Sequence, residues 1–298
     1  MGWVSLGMED IRPPFTLVVL PGIGGTEDST PFGRLESILE DGSTLPVVTV
    51  GYAPQEDSMS AFAAAAWGRL DSMDLSEKVV LLGYSMGGFV TPYMYAMRPA
   101  SVVGMVFAAT GAPTLTEALD GAGSMVRLHH GMAAAFIGRL PALPLNQLQA
   151  VFAYLAEGNG TAMLAAIRRP VLVLHAKDDG IVPSIISQAM CHANKRDNGS
   201  GDSFNPPGLT AAQCNIEAFP TGGHAFLSLH RARVGVILRH WLQGVRTWMR
   251  SQHGSAPLPS HVVASAPMHA RPVRPRREGA PTSLGGVHCP AYPTPSSS

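Results

Sequence analysis

Residues 83–87 read G-Y-S-M-G and match the pattern G-x-S-x-G, with Ser85 at its centre. The apolar run V-V-L-L-G leads into the pattern and a helix-like segment follows it, which predicts a sharp turn between a strand and a helix. A serine on such a turn can act as a nucleophile in acyl transfer. The simpler interpretation is a glycine-rich turn that only connects two elements.

A serine hydroxyl is a weak nucleophile at neutral pH, so it needs a base, usually a histidine that a carboxylate orients. Asp178 and Asp179 follow a later apolar run, and either could supply that carboxylate or cap a helix that begins near Pro183. His224 lies in G-G-H-A-F-L, between the last apolar run and the last helical segment, and is the candidate base. Three other histidines are expected to be structural: His129, His130 and His175.

Six short apolar runs without polar alternation are typical of strands that are buried on both faces, as in a parallel sheet. Helical segments lie between them, which predicts an α/β fold: a mostly parallel, doubly wound sheet of about six strands with helices on both faces. The predicted strands are residues 15–20, 47–51, 78–83, 102–108, 171–175 and 216–219, and the predicted helices begin near residues 30, 60, 86 and 227.

Two stretches and the C-terminal end interrupt this alternation. Residues 113–167 are rich in Ala, Leu and Met without a clear strand, which predicts a small helical cap inserted before the strand that carries the acid. Residues 194–213 are polar and predict a surface loop. We therefore expect one α/β domain over residues 1–250 and a Pro- and Ser-rich disordered tail over residues 251–298.

With a nucleophile, an acid and a base in this chain order, the sequence resembles the α/β-hydrolase superfamily over about residues 13–250. D-D-G-I-V-P resembles the superfamily's acid loop, commonly G-x-x-D-x-x-V-P, and this register implies Asp179 rather than Asp178 as the acid. Ala176 replaces the usual glycine of that loop. The segment around His224 resembles the block G-H-x-x-F. The resemblance implies an esterase- or lipase-like member with a catalytic set of Ser85, Asp179 and His224.

The oxyanion that forms in acyl transfer needs preorganised N–H donors. The amide of Met86, directly after the nucleophile, is one candidate. By resemblance to the superfamily's H-G-x segment, the amide of Ile23 in the loop P-G-I-G-G is the other, with Pro21 in place of the usual histidine. This loop lacks the lysine-bearing phosphate-binding pattern, so we do not expect nucleotide binding. The superfamily's usual pair of strands before residue 15 is not evident, so we expect a trimmed sheet.

The composition bounds the remaining classes of function. The 298 residues carry 21 basic and 21 acidic side chains, so no net charge favours a nucleic acid partner. Neither a signal peptide nor a membrane-spanning run is evident, and we expect a cytoplasmic protein without a metal or cofactor. The three cysteines, Cys191, Cys214 and Cys289, are interpreted as separate thiols, although the first two flank the polar loop and one bridge is conceivable.

The resemblance implies a serine hydrolase that cleaves a carboxylic ester of a small, fairly apolar substrate through an acyl-enzyme on Ser85. An acyltransferase, a thioesterase or another hydrolase could use the same three residues, and a catalytically silent binding protein could keep the same fold. No partner of the C-terminal tail is evident. Apolar residues of the predicted cap are candidates for lining the substrate pocket: Leu128, Met132, Phe136, Ile137, Leu148 and Phe152.

Overall fold

The computed structural model describes residues 15–26, 37–38, 44–111, 143–157, 160–184, 186–187, 190–191 and 214–254. The strands are β1 (Thr16–Leu20), β2 (Ser37–Ile38), β3 (Thr44–Leu45), β4 (Val47–Thr49), β5 (Val79–Tyr84), β6 (Val102–Ala108), β7 (Val171–Ala176) and β8 (Cys214–Phe219). The helices are α1 (Met59–Ser72), α2 (Met86–Met97), α3 (Leu145–Glu157), α4 (Gly160–Ala165), α5 (Phe226–Leu229) and α6 (Arg231–Gly254), with a 3-10 turn at Gly223–Ala225 before α5.

Six strands form one sheet in the order β4-β1-β5-β6-β7-β8, and every neighbouring pair is parallel. The predicted α/β fold with about six strands is therefore confirmed. The strand order reverses at β1, because the chain passes from β1 to the edge strand β4 and then returns to β5 on the other side. The carboxyl ends of β1 and β5 border the crevice in which doubly wound sheets bind their ligands.

Alternate residues of the strands point into two separate cores, one on each face of the sheet. In β1, Val18 and Leu20 belong to one core, whereas Leu17 and Val19 belong to the other. Helices α1 and α2 cover the first face and α6 covers the second. Their largest core residues include Phe62, Trp67 and Met94 on the first face, and Leu238, Trp241 and Val245 on the second. This double burial explains why the strands read as uninterrupted apolar runs.

The prediction of a helix from Thr30 onward is wrong for Ser37–Ile38, which are not helical. These two residues form β2, which pairs antiparallel with β3. The intervening sequence contains Asp41-Gly42, a dipeptide that favours hairpins, and the apolar spacing of residues 32–39 concealed this signal. The other residues between 27 and 43 lie outside the described residues.

The domain boundaries stay predictions. Helices α3 and α4 lie within the segment predicted as a cap, whereas residues 112–142 of that region and the predicted polar loop lie outside the described residues. Helix α6 continues to Gly254, past the predicted boundary at residue 250, and residues 255–298 also lie outside. Among the described helices, none is long and apolar enough to cross a bilayer.

Cys191 and Cys214 form a disulfide, so the interpretation of these cysteines as separate thiols is wrong. Their Cα atoms are 5.1 Å apart, and both residues are buried beside the first core. The bond joins the two ends of the segment that was predicted as a polar loop, a closeness that arises only when Cys214 enters the sheet in β8. The cytoplasmic location expected from the sequence stays a prediction.

Cys214→Ser is expected to lower the free energy of unfolding by about 2–4 kcal/mol, because the disulfide restricts the unfolded chain. Urea denaturation of the variant, and of the parent with and without dithiothreitol, measures the effect. Cys289→Ser serves as the control, since Cys289 takes no part in the bond. The disulfide would be contradicted if the urea midpoint of the parent did not change with dithiothreitol and that of Cys214→Ser equalled the parent value.

Candidate active site

Ser85 lies on the turn between β5 and α2, where the sequence pattern places it. Its φ of 52° and ψ of −118° belong to a region that residues with a side chain rarely adopt. Two backbone hydrogen bonds hold this conformation: the Ser85 N–H donates to the Ala108 carbonyl at 2.9 Å, and the Gly88 N–H donates to the Ser85 carbonyl at 3.0 Å. The surrounding backbone thus maintains the strain at Ser85.

The turn also approaches the end of β1 closely. A Cβ atom on Gly87 would lie 2.1 Å from the carbonyl oxygen of Leu20, and one on Gly83 would lie 2.6 Å from the carbonyl oxygen of Gly87. Neither position has space for a side chain, so both glycines of the G-x-S-x-G pattern are required by packing. The close approach sets Ser85 beside the loop that leaves β1.

His224 lies between the side chains of Ser85 and Asp179. Its Nε2 atom is 2.9 Å from the Ser85 Oγ, and its Nδ1 atom is 2.9 Å from Oδ2 and 3.2 Å from Oδ1 of Asp179. The Asp179 side chain is fully buried, whereas 18% of the His224 side chain is exposed. With Nδ1–H donating to the carboxylate, Nε2 is left to accept the hydroxyl proton.

The buried carboxylate of Asp179 receives further hydrogen bonds from its own loop. Its Oδ1 accepts from the amides of Ile181 at 2.9 Å and Val182 at 3.0 Å. Asp179 therefore closes the turn after β7 and also holds the imidazole ring of His224. These bonds fix the carboxylate without the help of solvent.

Asp178, the alternative acid, is bonded to backbone amides instead of to the imidazole ring. Its Oδ1 accepts from the Gly223 N–H at 2.8 Å and its Oδ2 from the Gly222 N–H at 3.1 Å. The Gly223 bond is the main reason why the pKa of Asp178 lies below its usual value. Gly222 and Gly223 have φ of 121° and 54°, so Asp178 anchors a turn of left-handed glycines directly before His224.

Tyr84 is a member of the site that the sequence analysis missed, since it occupies a variable position of G-x-S-x-G. Its hydroxyl donates to the backbone carbonyl of His224 at 2.8 Å. Burial, followed by the charge of Asp179, raises the pKa of Tyr84 to about 12, so the phenol keeps its proton at neutral pH. Tyr84 therefore supports the His224 backbone from β5, while Asp178 supports it from the loop after β7.

The predicted oxyanion donors belong to the residue after Ser85 and to the loop that follows β1. A Cβ atom on Gly22 would lie 3.2 Å from the Ser85 Cβ, so the loop after β1 runs directly past the serine. Within the described part of the chain, the amides of Ile23 and Met86 donate to no protein acceptor. Met86 is the first residue of α2, where an amide has no partner inside the helix.

His175, expected to be structural, is 1% exposed at the end of β7. In the described structure neither of its ring nitrogens has a hydrogen-bond partner. Burial, opposed by the charge of Asp179, lowers the pKa of His175, which keeps the ring neutral. Among the apolar residues predicted to line a pocket, Leu148 is buried and Phe152 is 49% exposed, and the other four lie outside the described residues.

No protein-family model matches the chain, and no curated protein matches its sequence. Solved structures do match. A lipase-esterase related protein from Clostridium acetobutylicum has a TM-score of 0.54 at 17% identity, over 78% of this chain and 96% of that chain. A thermophilic esterase from Thermogutta terrifontis has a TM-score of 0.51 at 20% identity, over 78% of this chain and 90% of that chain. A bromoperoxidase from Bacillus anthracis has a TM-score of 0.53 at 14% identity, over 77% of this chain and 92% of that chain. The chain has the α/β-hydrolase fold.

Asp178→Ala is expected to accelerate hydrogen exchange of the Gly222 and Gly223 amides, because both lose their acceptor. Asp178→Asn keeps one acceptor oxygen and should show a smaller acceleration. Exchange can be followed residue by residue in NMR spectra of the ¹⁵N-glycine-labelled protein, with the exposed Asp57→Ala as the control. Equal exchange rates in Asp178→Ala and the control would contradict the anchoring role.

His175→Leu is expected to weaken the dependence of stability on pH between pH 7 and pH 5. The folded pKa of His175 is lowered, so the unfolded chain binds the proton first, and stability is lost as the pH falls below the unfolded value of about 6.5. Urea denaturation at several pH values gives the slope for the parent, for His175→Leu and for the exposed control His240→Gln. An undiminished slope in His175→Leu would show that His175 does not cause it.

Proposed function

We propose that the protein is a serine hydrolase that cleaves a carboxylic ester of a small, fairly apolar substrate through an acyl-enzyme on Ser85. The observation that carries this proposal is the continuous line of hydrogen bonds from the Ser85 hydroxyl through His224 to Asp179, with 2.9 Å at each step. The fold adds support, since its solved neighbours include a lipase-esterase related protein and a thermophilic esterase.

In the first half of the reaction, the Ser85 Oγ attacks the carbonyl carbon of the ester while its proton moves to Nε2 of His224. The buried carboxylate of Asp179 stabilises the resulting imidazolium. When the tetrahedral intermediate collapses, the bond between the carbonyl carbon and the alcohol oxygen breaks. His224 then gives its proton to the leaving alcohol, and the acyl group stays on Ser85.

In the second half, water replaces the alcohol as the attacking group. His224 accepts a proton from the water as the water oxygen bonds to the acyl carbon, and it returns that proton to Ser85 Oγ as the ester to the enzyme breaks. The products are a carboxylic acid and the free enzyme. In both halves the negative oxygen of the intermediate is stabilised by the amides of Met86 and Ile23.

The side chains around the nucleophile favour an uncharged acyl group. Ile23, in the loop beside Ser85, is partly exposed and packs against the first apolar core. Leu143 lies beside the same loop, since a Cβ atom on Gly24 would be 3.5 Å from its Cδ2. A charged acyl group would lose its hydration against such surroundings without a compensating partner.

The purified protein is expected to hydrolyse p-nitrophenyl esters, with a rate that varies with the length of the acyl chain. Ser85→Ala should lower kcat/KM by more than about a thousandfold, because the hydroxyl that forms the acyl-enzyme is gone. His224→Ala and Asp179→Asn should lose about as much, since a proton acceptor or its correct tautomer is removed. Ser60→Ala, on an exposed position of α1, is the matched control and should retain the parent rate.

Each outcome of this assay bears on the proposal. Turnover that disappears in Ser85→Ala and survives in Ser60→Ala supports a serine hydrolase. Turnover that survives in Ser85→Ala contradicts it. A folded parent that turns over no ester also contradicts it, and ester consumption only when an acceptor alcohol is added would indicate acyl transfer instead.

A further inference from the structure

The loop that would supply the Ile23 amide has little intrinsic order. Its residues 21–25 include three glycines, and Gly24 has a φ of 73° that favours glycine. Glycine-rich backbone has many accessible conformations in the absence of outside contacts. An oxyanion donor, in contrast, must be held in place before the reaction begins. The loop therefore needs partners that fix it on both sides of Ile23.

Two side chains from different elements make these contacts. On one side, the Tyr52 hydroxyl donates to the Pro21 carbonyl at 3.0 Å. On the other side, the Gly24 N–H donates to Oε1 of Gln147 at 2.8 Å. Gln147 is the third residue of α3, is 4% exposed and stands 123 positions away in the sequence. With Gly24 bonded to Gln147 and Gly25 bonded to the Gly22 carbonyl, the Ile23 amide is left for a ligand.

The Gln147 bond is one of two side-chain attachments at the start of α3. The neighbouring Asn146 makes the other, because its Nδ2 donates to the carbonyls of Glu56 at 2.5 Å and Ala53 at 3.3 Å. Ala53 and Glu56 belong to a second loop, residues 53–56, which is closed by a bond from the Ala53 N–H to the buried Glu56 carboxylate at 2.9 Å. The start of α3 thus contacts two loops, and Gln147 acts only on the one that passes Ser85.

We propose that Gln147 is a positioning residue for the reaction. Its bond to Gly24 fixes the peptide group that follows Ile23, as the Tyr52 bond fixes the one that precedes Gly22. The Gly22–Ile23 peptide between them, which carries the Ile23 N–H, thereby has its orientation restricted. This inference rests on the proposed function, and it links the described part of the predicted cap to the chemistry at Ser85. Its effect falls on the transition state more than on the bound ester, because the negative charge on the oxygen develops only during the reaction.

Gln147→Met removes the acceptor while keeping a side chain of similar length and good helix propensity. We expect kcat for p-nitrophenyl esters to fall about tenfold or more, with KM within about twofold of the parent value. The inhibition constant of an alkyl boronic acid, whose serine adduct carries a negative oxygen, should rise in parallel. Gln149→Met, at an exposed position of the same helix, is the matched control and should leave all three values unchanged.

A second variant tests the loop without altering α3, and a second readout does not require the protein to be active. Tyr52→Phe removes the bond on the other side of Ile23, keeps the ring that lies 4.8 Å from Phe62, and should give the same fall in kcat at constant KM. Hydrogen–deuterium exchange of the peptide that contains residues 21–25 should be faster in Gln147→Met than in Gln149→Met, whether or not the protein hydrolyses esters.

The outcomes separate this inference from the proposed function. A fall in kcat at constant KM, together with faster exchange of the loop, supports it. An active Gln147→Met with the kcat of the control, or a changed KM at constant kcat, overturns it. If the parent hydrolyses no ester, the proposed function fails, and the hydrogen–deuterium exchange decides whether Gln147 fixes the loop. Faster exchange of residues 21–25 in Gln147→Met than in Gln149→Met supports that role, and equal exchange overturns it.

Discussion

The close approach between the β5–α2 turn and the end of β1 is the constraint on which the site depends. The parallel register pairs Leu20 with Gly83, so the loops after both strands leave the same edge of the sheet. Gly87 then lies against the Leu20 carbonyl, with no space for a side chain. This contact sets Ser85 beside the loop that bears Ile23, while the hydrogen bonds of Ser85 with Ala108 and Gly88 hold its positive φ. The same backbone contact thus positions Ser85 and the loop whose Ile23 amide is proposed as an oxyanion donor.

His224, the proposed base, follows the edge strand β8 and is held by several contacts at once. Asp179 bonds the imidazole ring, Asp178 bonds the two amides before His224, and the Tyr84 hydroxyl bonds its carbonyl. The neighbouring aspartates therefore differ in their roles: one is buried and orients the ring, and the other holds the turn that carries it. A turn of two left-handed glycines would otherwise give His224 considerable freedom.

Local sequence signals predicted much of this arrangement. The strands were readable because burial on both faces makes them uninterrupted apolar runs, and Ser85, Asp179 and His224 stand in motifs of a few residues each. Contacts between distant segments left no such signal. Gln147 meets Gly24, and Cys191 meets Cys214, only because the sheet brings separate segments together, while the hairpin of β2 and β3 was concealed by a helix-like spacing. Tyr84 was missed since its position in the motif accepts any residue.

Covalent labelling of Ser85 tests the central claim most directly. The parent protein is treated with an alkyl p-nitrophenyl phosphonate, whose phosphorus is attacked by an activated serine with loss of p-nitrophenol, and intact mass and peptide mapping then locate the adduct. The account predicts one adduct per chain on Ser85, absent in Ser85→Ala and formed far more slowly in His224→Ala. An unlabelled parent, or a label on another residue that persists in Ser85→Ala, would contradict the assignment of Ser85 as the nucleophile.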